Sequence, residues 1–582
     1  MRGNAPVDPV KLVRAVGAVT LTAALMLVSG CSMGLPTSGP VERVTLSQNE
    51  DHRVYIDPQG PSDGAEPEQI VEGFIDSLPA GPQSDGFRVV REFLTDAARK
   101  TWKPDSRTVI YSGEPRISRR ADQMETQSRG SQSASRVGVT VSYDQIGVVD
   151  SRGVYSAEGS TGSSTIDLRL VKVNGQWRIS SLPDGISIAQ TGFFQVFRQV
   201  ELYQLADSGK TLIPDQRWFP WRQWRTLAVR ELLREPASWL GDAARSVGDD
   251  GISLAMDSVP VSKGVVQVKL TSGVMALTAA ERAKLVRRIR LTLGDGSGEY
   301  RLSVTDDAGQ DLSGADEHES IVINQPPRHL YSLANNFILS IASNNLVRLG
   351  DVAGRFGEAT GMAFTSRGGA VLRSDNIVEC VTKDTDSCGT LFGGNEVSLL
   401  REGIDDEVWA VSKDSSQIMV HRDGQERRFS ASFLEGRQIT AFDISPEGSR
   451  AVIAVGGRRG SNDGKVVMIG IGRDSSQLPT SLSSHAVTIS NRSDIAAMTF
   501  YNEATIVYAV RDTDGGYQQM APGPESAQRL PKGTTELVSA QIDQTLSLIA
   551  LDSSGMVRYS RASLNASWRV LDYQTDAITS GW

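Results

Sequence analysis

The chain has 582 residues, 39% of them hydrophobic and 22% charged, with a formal net charge of −9. That balance excludes both a polytopic membrane protein and a charge-swollen disordered chain. Its 60 Lys and Arg, spread along a net-acidic sequence, argue against nucleic-acid binding. Five His and three Cys leave little for a metal centre, whereas 56 Gly with many Val and Ile favour β-rich domains. At ~150 residues per domain, the length predicts three or four domains.

Residues 1–14 carry Arg2, Lys11 and Arg14 against Asp8, and Ala15 to Gly30 run without a charge. That run is shorter than the ~20 residues that span a bilayer. A basic start, an apolar middle and a small-residue end make an export signal. It ends at Val28-Ser29-Gly30-Cys31, which resembles the bacterial lipobox, where the Cys thiol accepts diacylglycerol. The alternative is an ordinary signal peptide that happens to contain a Cys. Residues 1–30 are read as a lipoprotein signal peptide, Cys31 as the lipidation site and 31–50 as a lipid-anchored tether. Removing residues 1–30 takes the formal charge from −9 to −11. Such a chain is not expected to adhere electrostatically to anionic lipid.

Cys380 and Cys388 remain, eight positions apart in an exported, oxidising setting. A hairpin would bring them within disulfide reach, and a disulfide is the expectation; two free or buried thiols are the alternative.

Residues 51–190 read as an N-terminal α+β domain. Ile70, Val71, Phe74, Ile75 and Leu78 predict one amphipathic helix; Phe87, Val90, Phe93, Leu94 and Ala97 predict a second, after Ser84-Asp85. The polar stretch 115–136 reads as a loop. Val137, Val139 and Val141 alternate, as do Ile166, Leu168 and Leu170, and Asn174-Gly175 predicts a hairpin turn before Trp177 and Ile179. Helices followed by an antiparallel sheet resemble the NTF2-like class of cone-shaped domains.

Residues 191–315 read as a second α+β unit. Its order is a strand around Val200–Tyr203, the run Leu212-Ile213-Pro214-Asp215-Gln216-Arg217 and a helix from about Thr226 to Arg234. Strands follow at Ile252–Met256 and at Val266, Val268 and Leu270. A helix opening with Thr278-Ala279-Ala280-Glu281 has capping-box spacing and leads to a last strand with Leu302 and Val304. The series resembles the GerMN domain of bacterial sporulation and germination proteins, which implies binding in the envelope and no catalysis.

Residues 320–582 show short apolar strands at a period of about 40 residues, which predicts a β-propeller. Strand starts such as Met362, Val397, Ile439, Ile495 and Leu537 mark successive cycles. Ser445-Pro446-Glu447-Gly448-Ser449-Arg450 resembles a common propeller turn. About six blades are expected, with the C-terminal strand closing the ring against the first blade. The fold class is therefore mixed: two α+β domains, NTF2-like then GerMN-like, followed by an all-β propeller.

Catalytic patterns are sparse. His52, His318, His329, His421 and His485 form no i,i+4 pair and no zinc spacing with Cys. No serine sits in Gly-x-Ser-x-Gly. Asp405, Asp406 and Asp443 read as turn formers and solvated residues. Gly457–Lys465 has the wrong spacing for a phosphate loop, and Asp512–Gly516 lacks the later ligands of a calcium loop. No catalytic residue, metal or other cofactor is expected. Trp218, Trp221, Trp224 and Arg225 form the densest aromatic and basic cluster. It is a candidate partner-binding surface; core packing is the alternative.

The order of lipobox, α+β domain, GerMN-like domain and propeller resembles the LpqB family of actinobacterial lipoproteins. The resemblance spans essentially the whole chain and rests on domain order. It implies a non-enzymatic protein, lipid-anchored on the extracytoplasmic face of the cell membrane. It also implies binding and modulation of an MtrB-type sensor histidine kinase of a two-component system, affecting cell-wall homeostasis and cell division. The other readings are a cell-wall glycan or muropeptide binder, a weak hydrolase, or an envelope scaffold.

Overall fold

The computed structural model describes residues 58–120, 136–158, 163–245, 251–294, 300–314, 329–335, 337–342, 345–351, 359–457, 463–561 and 567–581. Cys31, the signal and tether segments 1–50, His52 and His318 lie outside them, as do 121–135 and 458–462.

The first domain opens with helix α1 (Pro67–Ser77), started by Pro67 and by a capping box between Glu66 and Gln69. Its Ile70, Val71, Phe74 and Ile75 are buried. The sheet behind it comprises β1 (Arg107–Arg119), β2 (Arg136–Asp150), β3 (Ser163–Val173), β4 (Gln176–Ser181) and β5 (Ile186–Ala189), in the order β4-β3-β2-β1-β5. All neighbours are antiparallel except β1 and β5. Two expectations are corrected. The second amphipathic helix is broken: Gly86 and Phe87 both take positive φ, and only the short 3-10 turn Val90–Phe93 and helix α2 (Asp96–Thr101) form. Strand β1 also runs through Arg119, into the stretch read as a loop.

The second domain has strands β6 (Phe197–Ala206) and β7 (Leu212–Pro220), preceded by helix α3 (Gln190–Val196). Helices α4 (Trp224–Leu232) and α5 (Ala279–Thr292) pack on β6, and β8 (Val265–Lys269) runs parallel to β9 (Arg301–Thr305). The capping box of Thr278 and Glu281 starts α5, as its spacing predicts. Residues 252–256 form no strand; only an isolated bridge joins Leu254 to Leu270. Fully buried Arg288 ties α5 to its neighbours by donating to the carbonyl oxygens of Tyr203 and Leu232 and to Oε1 of Gln204. Burial pushes its pKa down to about 10.

Among the described residues, six antiparallel sheets follow, five of four strands and one of five. They are the six blades that the 40-residue period predicts. The innermost strands are Ala577–Gly581 for blade 1, then Ala359–Thr365, Val397–Glu402, Ile439–Ile444, Ile495–Phe500 and Thr534–Ile542. The C-terminal strand pairs with His329–Ala334, so blade 1 is built from both ends of the propeller sequence. Closure removes the open edge that a terminal strand would leave. At Ser445–Arg450, Gly448 takes φ +75°, and a β-carbon there would press on Ile404. Glu447 accepts from Ser445 Oγ and Arg450 Nε, each at 2.6 Å.

Candidate functional site

Strand β7 is buried along Leu212–Phe219 because it is covered from several sides. Its Asp215 and Arg217 form a fully buried, bidentate pair with N–O distances of 2.9 and 2.6 Å. The third nitrogen of Arg217 donates to the carbonyl oxygen of Arg152 in the first domain at 2.7 Å. Arg152 in turn pairs with Glu231 of α4. Burial disfavours the charge of Arg217, yet Asp215, Glu231 and Asp150 together hold its pKa above the usual arginine value.

The aromatic cluster divides. Trp218 is 3% exposed and packs among Phe193, Phe194 and Phe197. Its indole donates to the carbonyl oxygen of Pro522 in blade 5 at 2.9 Å. Trp224 is also buried, with Arg198 and Arg225 stacked on its ring. Half-buried Arg225 also lies over Tyr300. Trp221 is half-buried under Arg198 and donates to the Phe194 carbonyl oxygen. The expected partner surface is therefore corrected for Trp218 and Trp224. Their rings are consumed in packing within and between domains and present no face to another molecule.

Both α+β domains dock on the outer parts of blades 4 and 5. The 3-10 segment Ser238–Ala243 lies against Lys465–Arg473 of blade 4 and shares a core with it, including Trp239, Leu240, Val452 and Met468. Gly470 permits this, since a β-carbon there would overlap the carbonyl oxygen of Leu240. Asp242 accepts from Ser481, and the amide of Ala157 donates to the Thr488 carbonyl oxygen at 2.8 Å. No repeat or run in the sequence marks these contacts, since the two sides lie more than 200 residues apart.

Cys380 and Cys388 form a disulfide across the two outer strands of blade 2, with their Cα atoms 5.0 Å apart. In the centre of the ring, the Glu402 carboxylate accepts from the amide of Ser580 at 3.1 Å and from Thr579, bridging blades 3 and 1. Glu536 accepts from the amide of Ile578 at 2.9 Å. Burial raises its pKa, nearby Arg401 opposes the rise, and Glu402 adds to it. Asp443 is corrected from a solvated residue to a buried one; it accepts from Thr499 Oγ1 and the Phe500 amide. Asp405 and Asp406 do sit in a turn, both at positive φ. These acids hold the ring together by accepting protein hydrogen bonds.

An open groove of about 660 Å³ lies between blades 3 and 4. Its lining includes Lys413, Ser416, Ser430, Ser432, Arg437 and Gln438. It lies at the turn between the second and third strands of blade 3 and at the link from blade 3 to blade 4. Alternating strand direction puts it on the face opposite the turn bearing Pro522. Arg437 is held by an ion pair with Asp463. Among the described residues, no group of three or more His, Cys, Asp or Glu is placed to hold a metal. No helix among them is long and apolar enough to cross a membrane.

Two family models match the chain: the N-terminal domain of lipoprotein LpqB over residues 60–194, and the LpqB β-propeller domain over 369–577. Lipoprotein LpqB of Bifidobacterium longum is 42% identical over 576 residues, covering 98% of this chain and 99% of the relative. That of Streptomyces avermitilis is 24% identical over 94% of each chain. A chain from a nidogen/laminin complex aligns with 44% of this chain and 98% of its own at 11% identity and TM-score 0.33, a likeness too slight to argue from. Identity of 42% across nearly its full length establishes that the chain belongs to the LpqB family.

Proposed function

We propose that this chain is a lipid-anchored, extracytoplasmic and non-enzymatic binding protein that modulates an MtrB-type sensor histidine kinase, and through it cell-wall homeostasis and division. The lipobox at Cys31 and the lipoprotein name of its relatives support the anchor. Anchoring raises the effective concentration near a membrane kinase, so weak contacts are occupied. The observation that carries the reading is the open groove on the propeller face opposite the Pro522 turn. Mixed charge and hydroxyl groups there suit a polar segment of a protein partner. Preferential binding to one signalling state shifts the kinase equilibrium.

A second reading rests on the same groove. Ser416, Ser430, Ser432 and Gln438 offer neutral hydrogen-bonding groups suited to a cell-wall glycan or muropeptide. Capture from detergent-solubilised membranes, comparing wild type with Ser416→Trp/Ser432→Arg, tests both. Recovery of the kinase by wild type and its loss in the variant support the first reading. Wall fragments recovered in its place support the second, and recovery of neither overturns both.

A further inference from the structure

The first domain's sheet has two unlike faces. Val139, Val141, Leu168, Leu170 and Ile179 point to the core. Strand alternation therefore sends Arg116, Arg120, Arg136, Arg169 and Arg178 to the opposite face. Register brings four of these together. Val171 lies between Arg136 and Arg178, and Gly138 lies beside Arg169, with the Arg120 amide bonded to the Gly138 carbonyl oxygen. Arg116, Arg120, Arg136 and Arg169 are exposed, and Arg178 is half-buried. Among the described residues, Arg120 pairs with Asp167. Arg116, Arg136 and Arg169 have no carboxylate partner among the described residues. Other acids on or beside this face, Asp144 and Glu114, lie toward its far end. Crowded like charges on one sheet face disfavour folding unless an anion answers them.

Two further features meet at one end of this sheet. The β3–β4 turn exposes Val173 (41%) on the arginine side, whereas Trp177 and the Lys172 stacked on it lie on the core side of the sheet. The chain arriving from the tether reaches the same turn, where the Gly64 amide donates to Gln176 Oε1 at 2.8 Å.

We propose that this arginine face docks on an anionic phospholipid surface, fixing the attitude of the whole chain to the membrane. Arg forks match phosphate oxygens. The net-acidic remainder of the chain is repelled by the same surface, which sharpens the orientation. The tether argument rests on lipidation at Cys31, but the binding face does not.

The test is co-sedimentation of the unacylated mature chain, residues 32–582, with phosphatidylcholine vesicles containing or lacking phosphatidylglycerol, at low and high salt. Binding is expected only with phosphatidylglycerol and falls with salt. Arg136→Glu/Arg169→Glu/Arg178→Glu is expected to lower it at least about tenfold, whereas the corresponding triple Lys variant retains most of it. If the Glu variant does not fold, as judged by its melting transition, the triple Gln variant carries the comparison. Equal binding to both vesicles overturns the proposal, as does undiminished binding by the charge variants. Tighter binding to polyglutamate than to the anionic vesicles assigns the face to an acidic polypeptide and also overturns it. An acyl-free Cys31 in the native protein's mass would refute the anchor and leave the vesicle result intact.

Discussion

The indole of Trp218 donates to the carbonyl oxygen of Pro522 at 2.9 Å, joining residues 304 positions apart. The bond links the second domain to blade 5, while the same ring packs on Phe193. Trp218→Phe keeps most of the ring contact and leaves a buried carbonyl unpaired, at a cost of about 1–3 kcal/mol. Trp218→Ala removes the packing as well and costs about 3–5 kcal/mol. Denaturant midpoints would measure both; a Phe variant as stable as wild type would show that the bond contributes nothing.

Gly470→Ala is expected to loosen the docking of Ser238–Ala243 on blade 4, because its methyl group would displace the Leu240 carbonyl. Overpacking of this kind costs about 1–3 kcal/mol. Hydrogen exchange should rise in both segments, with little change in blades 1 and 2.

Asp215→Asn leaves the buried Arg217 charge without its carboxylate and is expected to cost about 3–5 kcal/mol. Asp215→Leu/Arg217→Met removes both charges and should destabilise less than Asp215→Asn. A double variant that is less stable than the single one would contradict this account of the pair.

Glu536 gives a pH signature. Its folded pKa is raised, so the folded state holds this proton more tightly than the unfolded chain. Stability therefore falls as the pH rises from about 4.5 toward the raised value, and the penalty is complete above it. Glu536→Gln keeps an acceptor for the Ile578 amide and removes the titration. The variant should gain on wild type as the pH rises through that window, measured by melting temperatures at a series of pH values. A stability difference that does not change with pH would contradict this.

Reduction of Cys380–Cys388, or Cys380→Ser/Cys388→Ser, reopens a short loop. Chain-entropy arithmetic puts the loss at about 2.5 kcal/mol. Thiol labelling should find the pair unreactive until reductant is added.

Much of this fold is readable in the sequence because its signals are local. The propeller period, the α5 capping box and the hairpin turn at Asn174-Gly175 each depend on residues close in the chain. The Phe87–Ala97 helix was misleading because apolar spacing says nothing of the backbone; positive φ at Gly86 and Phe87 breaks it. The sequence leaves packing and partner binding both open for Trp218 and Trp224, because aromatic and basic residues fill an interface and a core equally well. The acids in the ring centre lacked any motif, since each meets its partner through propeller closure.

Charge shows the same division. The sequence alone determined a net-acidic chain, its six-fold strand rhythm and the alternation that turns one face of each strand inward. Those properties depend on composition and on neighbours a few residues apart. Only the tertiary structure gathered Arg120, Arg136, Arg169 and Arg178 onto one face, and seated Leu240 on Gly470. Strand register and domain docking join residues far apart in the chain, and no local pattern encodes which distant surface a buried face will meet.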